Sequence, residues 1–306
     1  MAFHIAVANR KGGVGKSTVA VMLAHGLAVW GGKRVLVMDL DSQCNTSLIL
    51  QGGDGWVAAK RDGKTIADYF FEQFDGENPK PRDFLEHDVG DVRLANGKAP
   101  AISLLPGSLL IEDVQGELYM KQSREGTSPD AVVAQVRSKI GRLLKRFGAS
   151  FDIVILDCPP GLSFAALSAL GMAERVIVPF RPDYVSTSAV DLIANIIEEK
   201  NSADGLAAVP FAERRYVTLA NYVGASPKDP VRIGDIAALH PMLATQLPLK
   251  QGIADSLEFR DVPCKIEVKY GNGVVDVRRL VDEVIARCLP VPAAPLVKPL
   301  WRTGRA

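Results

Sequence analysis

The sequence predicts an α/β fold: a single doubly wound, mostly parallel sheet with helices on both faces. Three observations carry that expectation. Short apolar runs rich in β-branched residues recur, as in HIAVAN (4–9), KRVLVMDLD (33–41), FDIVILDCPPG (151–161) and AERVIVPF (173–180). Such runs read as strands buried on both faces. Segments with helical spacing separate them, and strands that alternate with helices build parallel βαβ units with right-handed crossovers. The chain has 306 residues with no internal repeat and no clear linker, enough for one large α/β domain.

The elements follow in order. After the first strand, the stretch from Ser17 has helical spacing and stops at Gly31-Gly32. The second strand ends in two aspartates, Asp39 and Asp41. Residues 51–100 are rich in Gly, Asp and Pro and read as a surface excursion holding one helix, TIADYFFEQF. AISLLPG (101–107) resumes the strand pattern, and AVVAQVRSKIGRLLKRFG (131–148) is an amphipathic helix that Gly148 stops. The strand at 151–161 ends in Asp157 and a Pro-Pro-Gly turn. Helix SAVDLIANIIEEK (188–200), strands RRYVTLANYV (214–223) and ATQLPL (244–249), and helix VVDVRRLVDEVIARCL (274–289) complete a domain spanning 1–290. A Pro-rich tail, 291–306, is expected to lie loose on the surface.

Composition narrows the function classes. With 36 basic and 35 acidic residues the net charge is +1, so nucleic-acid binding would have to come from a local patch. The four cysteines form no C-x-x-C pair, which indicates neither a zinc site nor a disulfide framework. No apolar run approaches the length of a membrane span, and no signal pattern precedes the first strand. A cytoplasmic protein is the expectation.

The chemistry concentrates in RKGGVGKST, residues 10–18, between the first strand and the first helix. Gly12, Gly13, Val14 and Gly15 form a loop whose backbone can wrap a phosphate, and the helix N-terminus behind it favours an anion. Lys16 is placed to reach the β- and γ-phosphates, Ser17 to coordinate Mg²⁺ and Thr18 to contact the α-phosphate. Asp157, at the end of IVIL, is placed to support the metal. Asp39, at the end of VLVM, is the candidate to orient the attacking water, with Asp41 supporting the loop. No N-K-x-D pattern is present, which favours ATP over GTP. Asn221, after YVTLA, is either an adenine contact or a strand-end turn residue.

The motifs RKGGVGKST, VLVMDLD and IVILDCPPG resemble those of the ParA/MinD family of deviant-Walker ATPases, P-loop proteins of the SIMIBI class. DLDSQCNTS (39–47) is similar to that family's D-x-D-P-Q-x-N-A-[ST], with Ser42 in place of proline. The likeness runs from about residue 3 to about residue 290 and is strongest for ParA partition ATPases. It implies a homodimer that sandwiches two ATP molecules, with the signature lysine, here Lys11, reaching across to the partner's phosphates. It also implies non-specific DNA binding, a nucleoid-associated location, a ParB-like or cargo-adaptor protein that stimulates slow hydrolysis, and a plasmid, chromosome or protein cluster as cargo. Arg232, Lys250 and Arg260, in the C-terminal half, are the candidate DNA contacts, and the basic run of the 131–148 helix is a second candidate surface. A MinD-like membrane-cycling ATPase is the alternative. Its basic amphipathic C-terminal helix has no counterpart in the proline-broken 291–306 tail, so membrane binding is not expected.

Overall fold

The protein is described by a computed structural model, which describes residues 2–123 and 127–290. The predicted tail, with Trp301, lies outside the described residues. Among the described residues nine strands form: β1 (Phe3–Val7), β2 (Val35–Asp39), β3 (Glu86–His87), β4 (Val92–Arg93), β5 (Ile102–Leu105), β6 (Ile153–Asp157), β7 (Arg175–Phe180), β8 (Tyr216–Ala220) and β9 (Cys264–Lys265). Seven build one sheet in the order β3-β5-β2-β6-β1-β7-β8, and β4 pairs with β9 in a separate two-stranded sheet. In the large sheet β3 alone runs antiparallel, at the edge. This is the doubly wound, mostly parallel arrangement that the sequence pattern predicts.

The helices are α1 (Lys16–Val29), α2 (Asn45–Arg61), α3 (Ile66–Phe74), α4 (Ile111–Gln122), α5 (Pro129–Lys145), α6 (Phe164–Met172), α7 (Ser186–Ile197), α8 (Ala203–Ala207), α9 (Asp229–Leu239), α10 (Gln251–Asp255), α11 (Ile266–Tyr270) and α12 (Val274–Arg287). Alternation along each strand sends side chains to two cores. Ala6, Leu36, Met38, Val154 and Leu156 pack on one face against α3 to α7. Ile5, Val7, Val35, Val37 and Ile155 pack on the other against α1 and α12. Burial on both faces explains why these strands read as unbroken apolar runs.

Two expectations are corrected. The excursion does not begin at residue 51, because α2 starts at Asn45 and runs through Gln51-Gly-Gly-Asp-Gly. It passes those glycines with a kink at Gly52, whose backbone is left-handed (φ 72°). A Cβ at Gly52 would lie 2.8 Å from the Phe259 ring, so glycine is required twice over. The rest of the excursion is built into the fold: Tyr69, Phe70 and Phe84 are buried in the core, and β3 extends the sheet. The second correction concerns ATQLPL. It is no strand: backbone bonds such as Leu247 N–H to the Ala220 carbonyl at 2.9 Å and the isolated bridges Thr218↔Met242 and Val223↔Pro248 hold it beside β8 and the residues after it, without a continuous ladder. The amides of Ala244 and Thr245 instead donate to the Glu283 carboxylate at 2.7 and 2.8 Å, and Pro248 has no N–H to give a ladder.

Candidate functional site

The site forms where β1, β2 and β6 end side by side. A cavity of about 530 Å³ opens there, lined by Gly12, Gly13, Gly15, Lys16, Ser17 and Thr18 on one side and by Asp41, Gln43, Asn45, Pro160 and Tyr222 on the others. Gly15 caps α1 in the left-handed region (φ 86°) and supplies no side-chain acceptor, so the first-turn amides of α1 keep their capacity for an anion. A Cβ at Gly15 would fall 2.2 Å from the Asn221 amide nitrogen.

That contact defines Asn221. Its Nδ2 donates to the Val14 carbonyl at 2.8 Å and its Oδ1 accepts from the Tyr222 amide at 2.9 Å. Each end of the side chain makes one hydrogen bond and the residue is buried, so Asn221 ties the phosphate loop to the end of β8. Val14 is also fully buried; it anchors the loop from below. Tyr222, which the sequence reading passed over, is the neighbour that faces the cavity. Its φ of 56° in a residue other than glycine is the signal of a side chain aimed by its surroundings, and Cys44 (φ 54°), just before α2, shows the same.

Asp39 and Asp157 are direct neighbours in the β2–β6 register. Both are fully buried, and burial pushes Asp39 up to about 7, with the Asp157 charge adding to it, and Asp157 up to about 6. Asp39 Oδ2 accepts from the Ser47 amide at 2.8 Å and hydroxyl at 2.7 Å, and its Oδ1 from the Asp41 amide at 3.2 Å. It therefore sits beneath the site, sealed by the first turn of α2, and does not line the cavity. Asp39, the residue expected to orient the attacking water, is thus set back from the cavity, and Asp41, two residues on, lines it. Asp157 Oδ2 accepts from the Thr46 hydroxyl at 2.7 Å, while its Oδ1 is buried with no partner. A buried, orphaned oxygen on Asp157, whose charged form the Ser17 hydroxyl favours, next to a second buried carboxylate, fits a divalent cation. Thr46 and Ser47 close the DLDSQCNTS motif, and the start of α2 brings their side chains onto the two aspartates.

The two lysines behave differently. Lys16 is buried at the helix start, and burial lowers its pKa although Asp157 and Asp41 oppose the shift. Its Nζ donates to the Lys11 carbonyl at 3.4 Å, closing the loop. Lys11 points away from the cavity and its Nζ is ion-paired with Asp183, in the loop between β7 and α7.

The candidate DNA contacts lie on separate elements. Lys250 is bound to Asp276 at 2.6 Å, Arg232 of α9 lies over the Tyr184 ring at 5.8 Å, and the Arg260 backbone amide donates to Asp91 at 2.9 Å. No helix among the described residues is long and apolar enough to cross a membrane.

Residues 2–204 match the family described as AAA domain. An uncharacterised protein of Pseudomonas putida is 29% identical over 298 residues, 94% of this chain and 96% of its own length. The chromosome-partitioning ATPase Soj of Thermus thermophilus is 34% identical over 196 residues, 64% of this chain and 61% of its own. Among solved structures, the cobyrinic acid a,c-diamide synthase of Mycobacterium smegmatis with a bound ATP analogue and magnesium superposes with a TM-score of 0.63 at 22% identity, covering 92% of this chain and 93% of that one. A plasmid partition protein of Borrelia burgdorferi bound to AMPPNP does so with 0.62 at 15% identity, covering 94% and 99%. At these identities the two structures speak for the fold alone. The family match goes further: the chain belongs to the AAA domain family, as a P-loop ATPase of the ParA/MinD type.

Proposed function

We propose that this protein is a ParA-like positioning ATPase: an ATP-dependent homodimer that holds DNA without sequence preference and releases it after a partner protein stimulates hydrolysis. The reading rests above all on the cavity where the glycine loop, Lys16, Ser17 and Asp41 converge on one space. Partition relatives such as Soj supply the biological direction. Bound Mg-ATP would supply the γ-phosphoryl group and a divalent charge. Ser17 and the unpartnered oxygen of Asp157 would hold the metal, and two buried carboxylates at adjacent strand ends would welcome that charge.

The chain's own residues have distinct tasks. The loop amides and Lys16 neutralise the phosphates, and Thr18 closes the helix side. Asp41 takes the water-facing role, while Asp39 fixes the Ser47 end of α2. Lys11 leaves Asp183 and crosses to the partner's phosphates, so the dimer depends on the γ-phosphate. Asp183 thereby sets the resting position of the lysine.

Co-sedimentation tests the reading. Purified protein is spun with Mg-ATP or Mg-ADP in the presence of random-sequence duplex DNA or of anionic liposomes. DNA retention in ATP alone, lost at high salt, is the expected result. Retention on liposomes would replace it with the MinD-like reading, and retention on neither would overturn the positioning function.

A further inference from the structure

Helix α5 carries an unusual charge. Between residues 131 and 151 stand five of the chain's 36 basic residues and none of its 35 acidic ones. The apolar stripe Val132, Val136, Ile140, Leu143 and Leu144 is buried, which leaves the cations on the outer side. Arg142, Lys145 and Arg146 are exposed, and Arg137 and Lys139 are half-buried. Among the described residues none of the five forms an ion pair with a carboxylate. Arg142 turns back onto the Ser138 hydroxyl at 2.5 Å, and Arg146 donates to the Asn78 side chain at 3.0 Å. Lys139 lies over the Phe74 ring at 4.7 Å, where burial and the charges of Lys121 and Arg142 lower its pKa. Like charges are therefore held close together with neutral partners only.

Beside this row runs a groove of about 350 Å³ between α5 and α6, flanked by Arg137, Arg142 and Lys145 and floored by Gly141 and Gly171. The glycines keep the floor low, so the cations stand at its rims. The surface has no apolar anchor: no large exposed hydrophobic side chain falls within 131–151 or 163–175. Protein interfaces depend on buried aromatic or aliphatic hot spots, whereas nucleic-acid interfaces are polar and strongly positive.

We infer that the α5–α6 basic groove is a nucleic-acid docking surface that takes the phosphate backbone of duplex DNA. From Arg137 to Arg146 the helix advances about 14 Å, the length of about four phosphates along one strand. Every contact of this kind goes to phosphate, so sequence plays no part. The inference rests on the DNA-binding reading above and adds its location: the cations of α5, ahead of the dispersed Arg232, Lys250 and Arg260.

The test is fluorescence anisotropy of a labelled random-sequence duplex in Mg-ATP across a salt series. Wild type is compared with Arg142→Glu/Lys145→Glu, with the neutral pair Arg142→Gln/Lys145→Gln, and with Arg232→Glu/Arg260→Glu. The expected result is at least a ~10-fold loss of affinity for the α5 charge reversal, and a log–log salt slope shallower by about two for the neutral pair. ATP binding is expected to stay at the wild-type level in both, which also reports that they fold. Wild-type DNA affinity in both α5 variants, with loss in Arg232→Glu/Arg260→Glu, would overturn the location and leave the DNA reading intact. A wild-type protein that fails to bind DNA in Mg-ATP would remove the DNA reading itself. Vesicles containing phosphatidylserine form the last arm: loss of vesicle binding by the α5 variants, with DNA binding unchanged, would assign the groove to membrane and overturn the proposal.

Discussion

Lys11 and Asp183 are ion-paired within one chain, so the lysine of the phosphate loop is turned away from the nucleotide cavity and onto the β7–α7 loop. Burial works against the Asp183 charge, yet hydrogen bonds from Lys11 and Ser186 hold its carboxyl below the usual range. The Lys11 side chain is 27% exposed and that of Asp183 42%, so the pair contributes at most about 1 kcal/mol. A restraint of that size delays a lysine without trapping it. Asp183→Asn is expected to shift ATP-dependent dimerisation to lower protein concentration by up to about fivefold. Lys11→Ala should retain nucleotide binding and lose the dimer. Light scattering after size exclusion reads both, and an Asp183→Asn protein that dimerises like wild type would remove the restraint.

The two aspartates at the end of β2 are expected to separate on substitution. Asp41→Ala should bind ATP and release phosphate far more slowly, because it faces the cavity. Asp39→Ala should lower the melting temperature, because the Ser47 amide and hydroxyl lose their buried acceptor, at a cost of about 1–3 kcal/mol. Phosphate release and thermal melts on the two variants decide it. Normal turnover by Asp41→Ala would return the water-facing role to Asp39.

Asn221→Ala distinguishes a clamp from a base contact. Loss of the donor to Val14 leaves a buried carbonyl unpaired and loosens the loop. ATP and GTP should weaken together, by about tenfold, with their affinity ratio unchanged. A selective loss of ATP would restore the adenine contact.

His25 sets an acid limit on stability. It is fully buried, with Nδ1 2.9 Å from the Tyr270 hydroxyl, and burial lowers its pKa from 6.5 to about 4, with Asp91 opposing the shift and Lys269 adding to it. The unfolded chain binds this proton more readily, so the stabilisation is present above pH 6.5 and is lost as pH falls towards 4. The change is about 3 kcal/mol. Urea unfolding at pH 7 and pH 5 should show a steeper loss in wild type than in His25→Asn, and equal slopes would discard the assignment.

Much of the fold was legible because burial on both faces imposes a simple pattern. Runs such as IVILD and RVIVPF can be little else than central strands, and RKGGVGKST fixes its own strand–loop–helix context. What stayed hidden depended on partners distant in sequence. Nothing local in Asn221 says that its amide will be used up by Val14. Nothing in DLD alone says which aspartate the Ser47 turn will enclose. The start of α2 was obscured by glycines whose kink is tolerated because Phe259 packs against Gly52. ATQLPL has strand-like composition, and only the position of Glu283 shows where two of its amides go.

The strand order has a consequence for biosynthesis. β1 leaves the ribosome before the other strands of its sheet, yet its neighbours are β6 and β7, with His4 facing Val154 about 150 residues later. Until then FHIAV has no edge to join, and β2 waits as well, for β5 and β6. The nascent chain thus carries β1 unpaired until β6 emerges and β2 unpaired until β5 does, a state that invites aggregation and chaperone capture. The phosphate loop is held late, since Asn221 must arrive before the Val14 carbonyl finds its donor. Nucleotide retention by stalled ribosome complexes is therefore expected to strengthen once residues past 222 have emerged, late in the making of the domain.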